Sequence, residues 1–102
     1  MIKRIVKLTF REEAVADFIA IFEASETAIR NFEGCEQLEL WRHTDSSNVF
    51  FTYSIWAAPE HLEAYRQSDF FQKTWRNTKA LFAEKAEAWS VEVINSTSRN
   101  KA

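Results

Sequence analysis

The stretch 34–59, GCEQLELWRHTDSSNVFFTYSIWAAP, runs from the only glycine of the chain to its only proline. Within it, residues 36–43 alternate, with Leu38 and Leu40 on one face of a strand. Asp45, Ser46, Ser47 and Asn48 are turn formers, because their short side chains bond to nearby backbone. Residues 49–57 are rich in β-branched and aromatic types that suit a pleated, half-buried surface. Two strands joined by a short polar turn predict a β-hairpin.

Working outward, Gly34 marks the end of a preceding helix, since glycine enters the left-handed conformation cheaply. Val15, Phe18, Ile19, Phe22 and Ile29 fall at helical spacing over residues 11–31, an amphipathic helix of about five turns. Residues 2–10 alternate as a strand. Pro59 suits the first turn of a helix, where its missing N–H is not needed. A short helix over 59–67 and a longer one over 69–88 follow, the second carrying Phe71, Trp75, Thr78 and Phe82 along one stripe. Residues 89–95 read as a last strand. The order β-α-β-β-α-β predicts an α+β, ferredoxin-like fold: a four-stranded antiparallel sheet with helices on one face. Residues 1–95 then form a single domain. Residues 96–102 are too polar to pack and are expected to fray.

The length of 102 residues fits one domain and no more. Such a chain buries roughly two-thirds of its unfolded surface, enough to fold without staples. A net charge of −2 gives no electrostatic case for nucleic acid. No apolar run reaches the roughly 20 residues of a membrane span. A single cysteine, Cys35, excludes an internal disulfide and a cysteine-based zinc site. A cytoplasmic location is the expectation.

Nine Phe, four Trp and two Tyr exceed what a small core needs. They predict an aromatic pocket or a second buried face. Helices cover only one face of the sheet. Apolar content assigns them the face carrying Val6, Leu8, Leu38, Leu40, Val49, Phe51, Tyr53, Ile55, Val91 and Val93. The opposite face then carries Ile5, Trp41, Phe50 and Trp56 among Lys7, Glu39, His43, Thr52 and Ser54. Rings of this size facing water make a large apolar patch. Two sheets packed face to face would cover it, so a homodimer through the sheet is expected. The alternative is a monomer with scattered exposed aromatics.

Phe32-Glu33-Gly34-Cys35, Leu38-Glu39-Leu40, the strand Phe51 to Trp56 and the run Glu60 to Phe71 together resemble the antibiotic biosynthesis monooxygenase family. The resemblance covers about residues 2–95. It implies a dimeric α+β barrel with a small-molecule pocket between sheet and helices in each subunit. Family activities differ. Some members oxygenate aromatic polyketides or quinols with O2 and no cofactor, some degrade haem, and one isomerises a signalling sugar. The haem-degrading branch uses an Asn, a Trp and an iron-binding His at places that hold Val6, Tyr65 and Trp75 here. Trp75 supplies no axial donor, so haem degradation is disfavoured. The quinol branch has His at two places that hold Tyr65 and Phe70.

The leading expectation is a cofactor-independent oxygenase of a small electron-rich aromatic. Tyr65, Tyr53 and Trp75 would orient the substrate, and Val6, Phe51 and Phe71 would shape the cavity. Each has a plainer reading as core. The rival is a non-catalytic protein of the same fold that binds a small aromatic. Arg4 reads as solvated near a strand end, the alternative being an anion site turned into the pocket. His43 and His61 read as solvated, with no spacing for a metal. Cys35 has no positive neighbour in sequence to activate it.

Overall fold

The computed structural model describes residues 1–99. Its order is β1 (Ile2–Thr9), a 3-10 turn (Glu12–Ala14), α1 (Val15–Arg30), β2 (Cys35–Arg42), β3 (Val49–Trp56), α2 (Pro59–Arg66), α3 (Asp69–Lys79) and β4 (Glu87–Val91). The strands form one antiparallel sheet in the order β2-β3-β1-β4. Helices pack on one face. This is the α+β, ferredoxin-like arrangement read from the sequence.

The punctuation residues act as their chemistry requires. Gly34 has φ +86°, a conformation that L side chains rarely adopt. A Cβ there would also lie 2.2 Å from Cγ of His61. Pro59 opens α2 at its first turn. Ser68 joins the two short helices: its hydroxyl donates to the Tyr65 carbonyl at 2.7 Å and accepts from the Phe71 amide at 3.1 Å. This N-cap satisfies a free helix donor and fixes Tyr65 relative to Phe71.

Two elements end earlier than their sequence pattern. The third helix stops at Lys79 rather than continuing to residue 88. Phe82 leaves the helix to form a bridge with Phe10, where their ring centroids lie 5.4 Å apart. The Arg11 amide donates to the Leu81 carbonyl and the Ala83 amide to the Thr9 carbonyl. Burial of Phe82 against the core and these backbone bonds outweigh another helical turn. The last strand is Glu87–Val91, not 89–95. Among the described residues it pairs only with β1, from Lys7↔Glu87 to Lys3↔Val91, and only Ile2 of that strand lies beyond the Val91 end of this pairing. Residues 96–99 of the expected tail are exposed, without helix or strand; 100–102 lie outside the described residues.

The larger correction concerns β3. Register pairs Leu8 with Phe50, Val6 with Thr52, Arg4 with Ser54 and Ile2 with Trp56. Phe50, Thr52, Ser54 and Trp56 therefore face the helices. Val49, Phe51, Tyr53 and Ile55 face away. Both alternations of VFFTYSIW contain large apolar groups, so the count of apolar residues chose the wrong phase. In β4 the phase is also reversed: Ala88 pairs with Val6 on the helix side, which turns Val91 outward.

The interior has two apolar clusters. Leu8, Phe10, Phe18, Phe22 and Phe50 form one, with Phe10 and Phe18 stacked at 4.1 Å. Cys35, Trp56 and Leu62 form the other, bordered by Phe32 and Tyr65. Between the buried rings of Phe50 and Trp56, β3 offers only Thr52 and Ser54 to the helices. Facing residues are also small: Ser25 on α1 and Ala88 on β4. Small side chains opposite one another leave a gap between the clusters.

Candidate functional site

That gap is a cavity of about 290 Å³ between the sheet and all three helices. Four residues expected at the site meet there: Val6, Tyr65, Phe71 and Trp75. Phe51 and Tyr53 do not. Phe51 pairs with Lys7 and Trp41 on the outer face. Tyr53 stacks on Trp41, with centroids 4.8 Å apart and planes 15° from parallel. Its hydroxyl accepts from the Lys3 ammonium, which also lies 5.1 Å from the ring centroid. The Tyr53 phenol thus finds its partner on the other side of the sheet.

Tyr65 is held on three sides by rings. It stacks on Trp56 at 5.2 Å and meets Phe32 and Phe71 edge-on, both at 5.0 Å. Trp75 stacks on Phe71 at 5.9 Å and meets Phe82 edge-on at 5.7 Å. Trp56 is 1% exposed, and its indole N–H donates to the Ser54 hydroxyl at 2.9 Å. Neither the Tyr65 hydroxyl nor the Trp75 indole N–H has a hydrogen-bond partner among the described residues, so both are available to a bound molecule.

Burial pushes the Tyr65 phenol well above its ordinary range, and the nearby Cys35 adds to that shift. The neutral phenol is favoured because an anion loses more solvation than it regains here. Tyr65 is therefore a hydrogen-bond donor and a poor base. Among the described residues, the cavity wall holds no His, Cys, Asp, Glu or Lys. Its charged members are Arg4 and Arg66. Arg4 is partly buried on the helix side of β1 and donates to the Ser90 hydroxyl at 3.0 Å. Arg4, read from the sequence as solvated near a strand end, lines the cavity instead.

Sequence reasoning missed Trp56, Thr52 and Ser54, having placed all three outside, and passed over Arg66. The signal was present in β3. Two small polar residues flanked by rings are poor core filling, but they suit the wall of a cavity.

The remaining candidates take structural places. His43 Nδ1 accepts from the Asp45 amide at 3.0 Å and ties the hairpin turn. His61, expected to be solvated, instead packs its ring over Gly34, with Nδ1 buried and unpartnered among the described residues. Cys35 is buried, and burial raises its thiol pKa, which makes it a weak nucleophile.

The family model for antibiotic biosynthesis monooxygenase matches residues 1–77. No curated protein matches the chain by sequence. Solved structures do match in fold. One described as an antibiotic biosynthesis monooxygenase superposes with a TM-score of 0.87 at 14% identity, over 93% of this chain and 100% of that one. A variant of SnoaB, a cofactor-independent oxygenase from Streptomyces nogalater, gives 0.83 at 16% identity, over 93% and 94%. Rv0793 from Mycobacterium tuberculosis gives 0.85 at 16% identity, over 95% and 98%. At such identities these likenesses show the fold alone. Among the described residues, no helix is long and apolar enough to cross a membrane.

Proposed function

Because the chain belongs to the antibiotic biosynthesis monooxygenase family, we propose that it oxygenates a small electron-rich aromatic, a quinol or phenolic polyketide, with O2 and without a cofactor. The observation that carries this reading is the aromatic-lined cavity, where the Tyr65 hydroxyl and Trp75 indole N–H are both unpartnered. The SnoaB likeness supports it at the level of fold.

In this mechanism the substrate is the reductant. Its ring, ionised to a phenolate, passes one electron to O2. The radical pair closes a C–O bond at a ring C–H carbon, and the peroxide takes up the proton lost on ionisation. The hydroperoxide then loses water together with that carbon's hydrogen, so the carbon becomes a carbonyl, and all four electrons that O2 receives come from the substrate. The protein binds the ring, excludes water and holds both partners together. Tyr65 and Trp75 donate to substrate oxygens, while Val6 and Phe71 shape the space. The sheet faces of two copies would pack together, covering Trp41 and Trp89, which are 40% and 45% exposed in the single chain.

The test is oxygen uptake with quinols and hydroxylated naphthalenes, comparing wild type with Trp75→Ala and Tyr65→Phe. Uptake above autoxidation that falls in either variant supports the reading. No uptake above background with any of them removes it.

A second reading, a non-catalytic binder on the same fold, is favoured by one observation: among the described residues the wall offers no general base. A ligand that quenches tryptophan fluorescence and is recovered unchanged under O2 would establish it. Haem degradation is opposed by the same wall, which offers no imidazole or thiolate, and by a Tyr65 phenol that burial keeps protonated.

A further inference from the structure

We propose that the cavity takes an aromatic carboxylate, with its rings among Trp56, Phe71 and Trp75 and its carboxylate held by Arg4 and Arg66. This deepens the preceding reading and rests on the same cavity being the ligand site.

Arg4 stands in the middle of a four-stranded sheet, paired to Ser54 on one side and Ser90 on the other. It shares the helix-facing side of β1 with Val6 and Leu8, both of which line the cavity. A guanidinium at such a place loses solvation, and its direct partner is a neutral hydroxyl. Arg4 is partly buried, and a charge that loses part of its solvation gains from an opposite charge beside it. Among the described residues no carboxylate lines this wall, and the second charge on it is also positive.

Arg66, from the end of α2, supplies that second charge. It has an outside partner, Glu63, but the contact is 3.4 Å long between largely exposed side chains. Such surface pairs are weak. Glu63 also accepts from Gln67 at 2.7 Å. One acid outside the cavity set against two guanidiniums on its wall leaves the mouth positive. Desolvation and the nearby Arg66 both lower the pKa of Arg4, with Glu63 acting the other way. Arginine nevertheless keeps its proton. A ligand anion would restore Arg4's lost solvation and relieve its repulsion with Arg66. A carboxylate suits the planar fork of either guanidinium. The aromatic walls next to that mouth give the rest of the ligand an apolar place.

The experiment titrates the full chain with 2-naphthoate and with its neutral methyl ester, following tryptophan fluorescence, since Trp56 and Trp75 both line the cavity. The expected result is at least tenfold tighter binding of the acid. Added salt should weaken the acid and leave the ester unchanged. Arg4→Met and Arg66→Met should each reduce the preference severalfold, and Arg66→Lys should keep part of it. Thermal melts establish folding of each variant. If Arg4→Met fails to fold, the exposed Arg66→Met carries the test. Equal binding of acid and ester overturns the proposal, as does a preference untouched in folded variants, or no binding of either probe. Its failure is separable from that of the oxygenase reading. Arginine-dependent binding with no oxygen uptake from any hydroxylated naphthoate retains the acid site and removes the oxygenase. Uptake from neutral quinols with no acid preference does the reverse.

Discussion

Tyr65 lies nearly parallel to Trp56, with ring centroids 5.2 Å apart and planes 25° from each other. The stack joins α2 to the end of β3. It seats a phenol in an apolar wall with its hydroxyl unpartnered among the described residues. Packing thus holds the ring, while the hydroxyl is free for a ligand.

Tyr65→Phe separates these roles. It keeps the stack and loses no protein hydrogen bond, so stability should change by less than about 1 kcal/mol. Oxygen uptake should fall about tenfold or more, the worth of a hydrogen bond to a charged oxygen. Denaturant melts and an oxygen electrode read the two effects on the same sample.

The Tyr65 phenol also sets an alkaline limit. Its folded pKa is raised, while the unfolded value is about 10. Stability is fully present below the unfolded pKa. Above it, the unfolded chain ionises Tyr65 and the folded chain does not, so stability falls as pH rises through that window. Native-state absorbance near 295 nm should show Tyr65 silent until unfolding. Tyr65→Phe should flatten the alkaline loss in urea melts.

Ser54 holds the other half of the stack. Ser54→Ala leaves the buried Trp56 N–H unpaired and should cost about 1–3 kcal/mol. Trp56→Ala should cost about 3–5 kcal/mol, because it also opens a cavity in the second cluster. Thermal unfolding of both variants measures the order. An alanine at 54 costing as much as one at 56 would contradict it.

Gly34→Ala places a Cβ into the His61 ring at a left-handed backbone. The expected cost is about 1–3 kcal/mol. His61→Ala in the same chain should recover the steric part and leave the backbone part. A double-mutant cycle in urea reads this coupling directly, and additive losses would show that the contact relaxes freely.

The outer sheet face makes its own prediction. Trp41→Glu or Trp89→Glu should convert a dimer into a folded monomer, seen by sedimentation as a halving of mass with unchanged far-ultraviolet dichroism. A wild-type chain that sediments as a monomer at all concentrations refutes the sheet-to-sheet packing.

Periodicity and punctuation made the element order legible. One glycine and one proline bracket the hairpin, and alternation gives way to helical spacing on either side. The site was legible in part. Tyr65, Phe71 and Trp75 come from helices, where a stripe at helical spacing defines one inward face. Phe51 and Tyr53 come from a strand whose two faces are both aromatic. The sequence pattern there carries no sign of direction. Arg66 was passed over because an arginine at a helix end reads as a surface residue until something concave lies beside it.

The local chain, by itself, determined which strands and helices form, since those depend on side-chain period, glycine and proline; where α3 ends and where β4 lies came from tertiary contacts. It also determined the ferredoxin-like order. Only the tertiary structure decided which way β3 faces. That choice belongs to pairing with β1: a shift of one residue exchanges both faces, and Leu8 opposite Phe50 fixes it. The pairing buries Phe50 and Trp56 and sets Thr52 and Ser54 between them. The cavity follows from that placement, because small side chains there cannot fill the space beneath three helices.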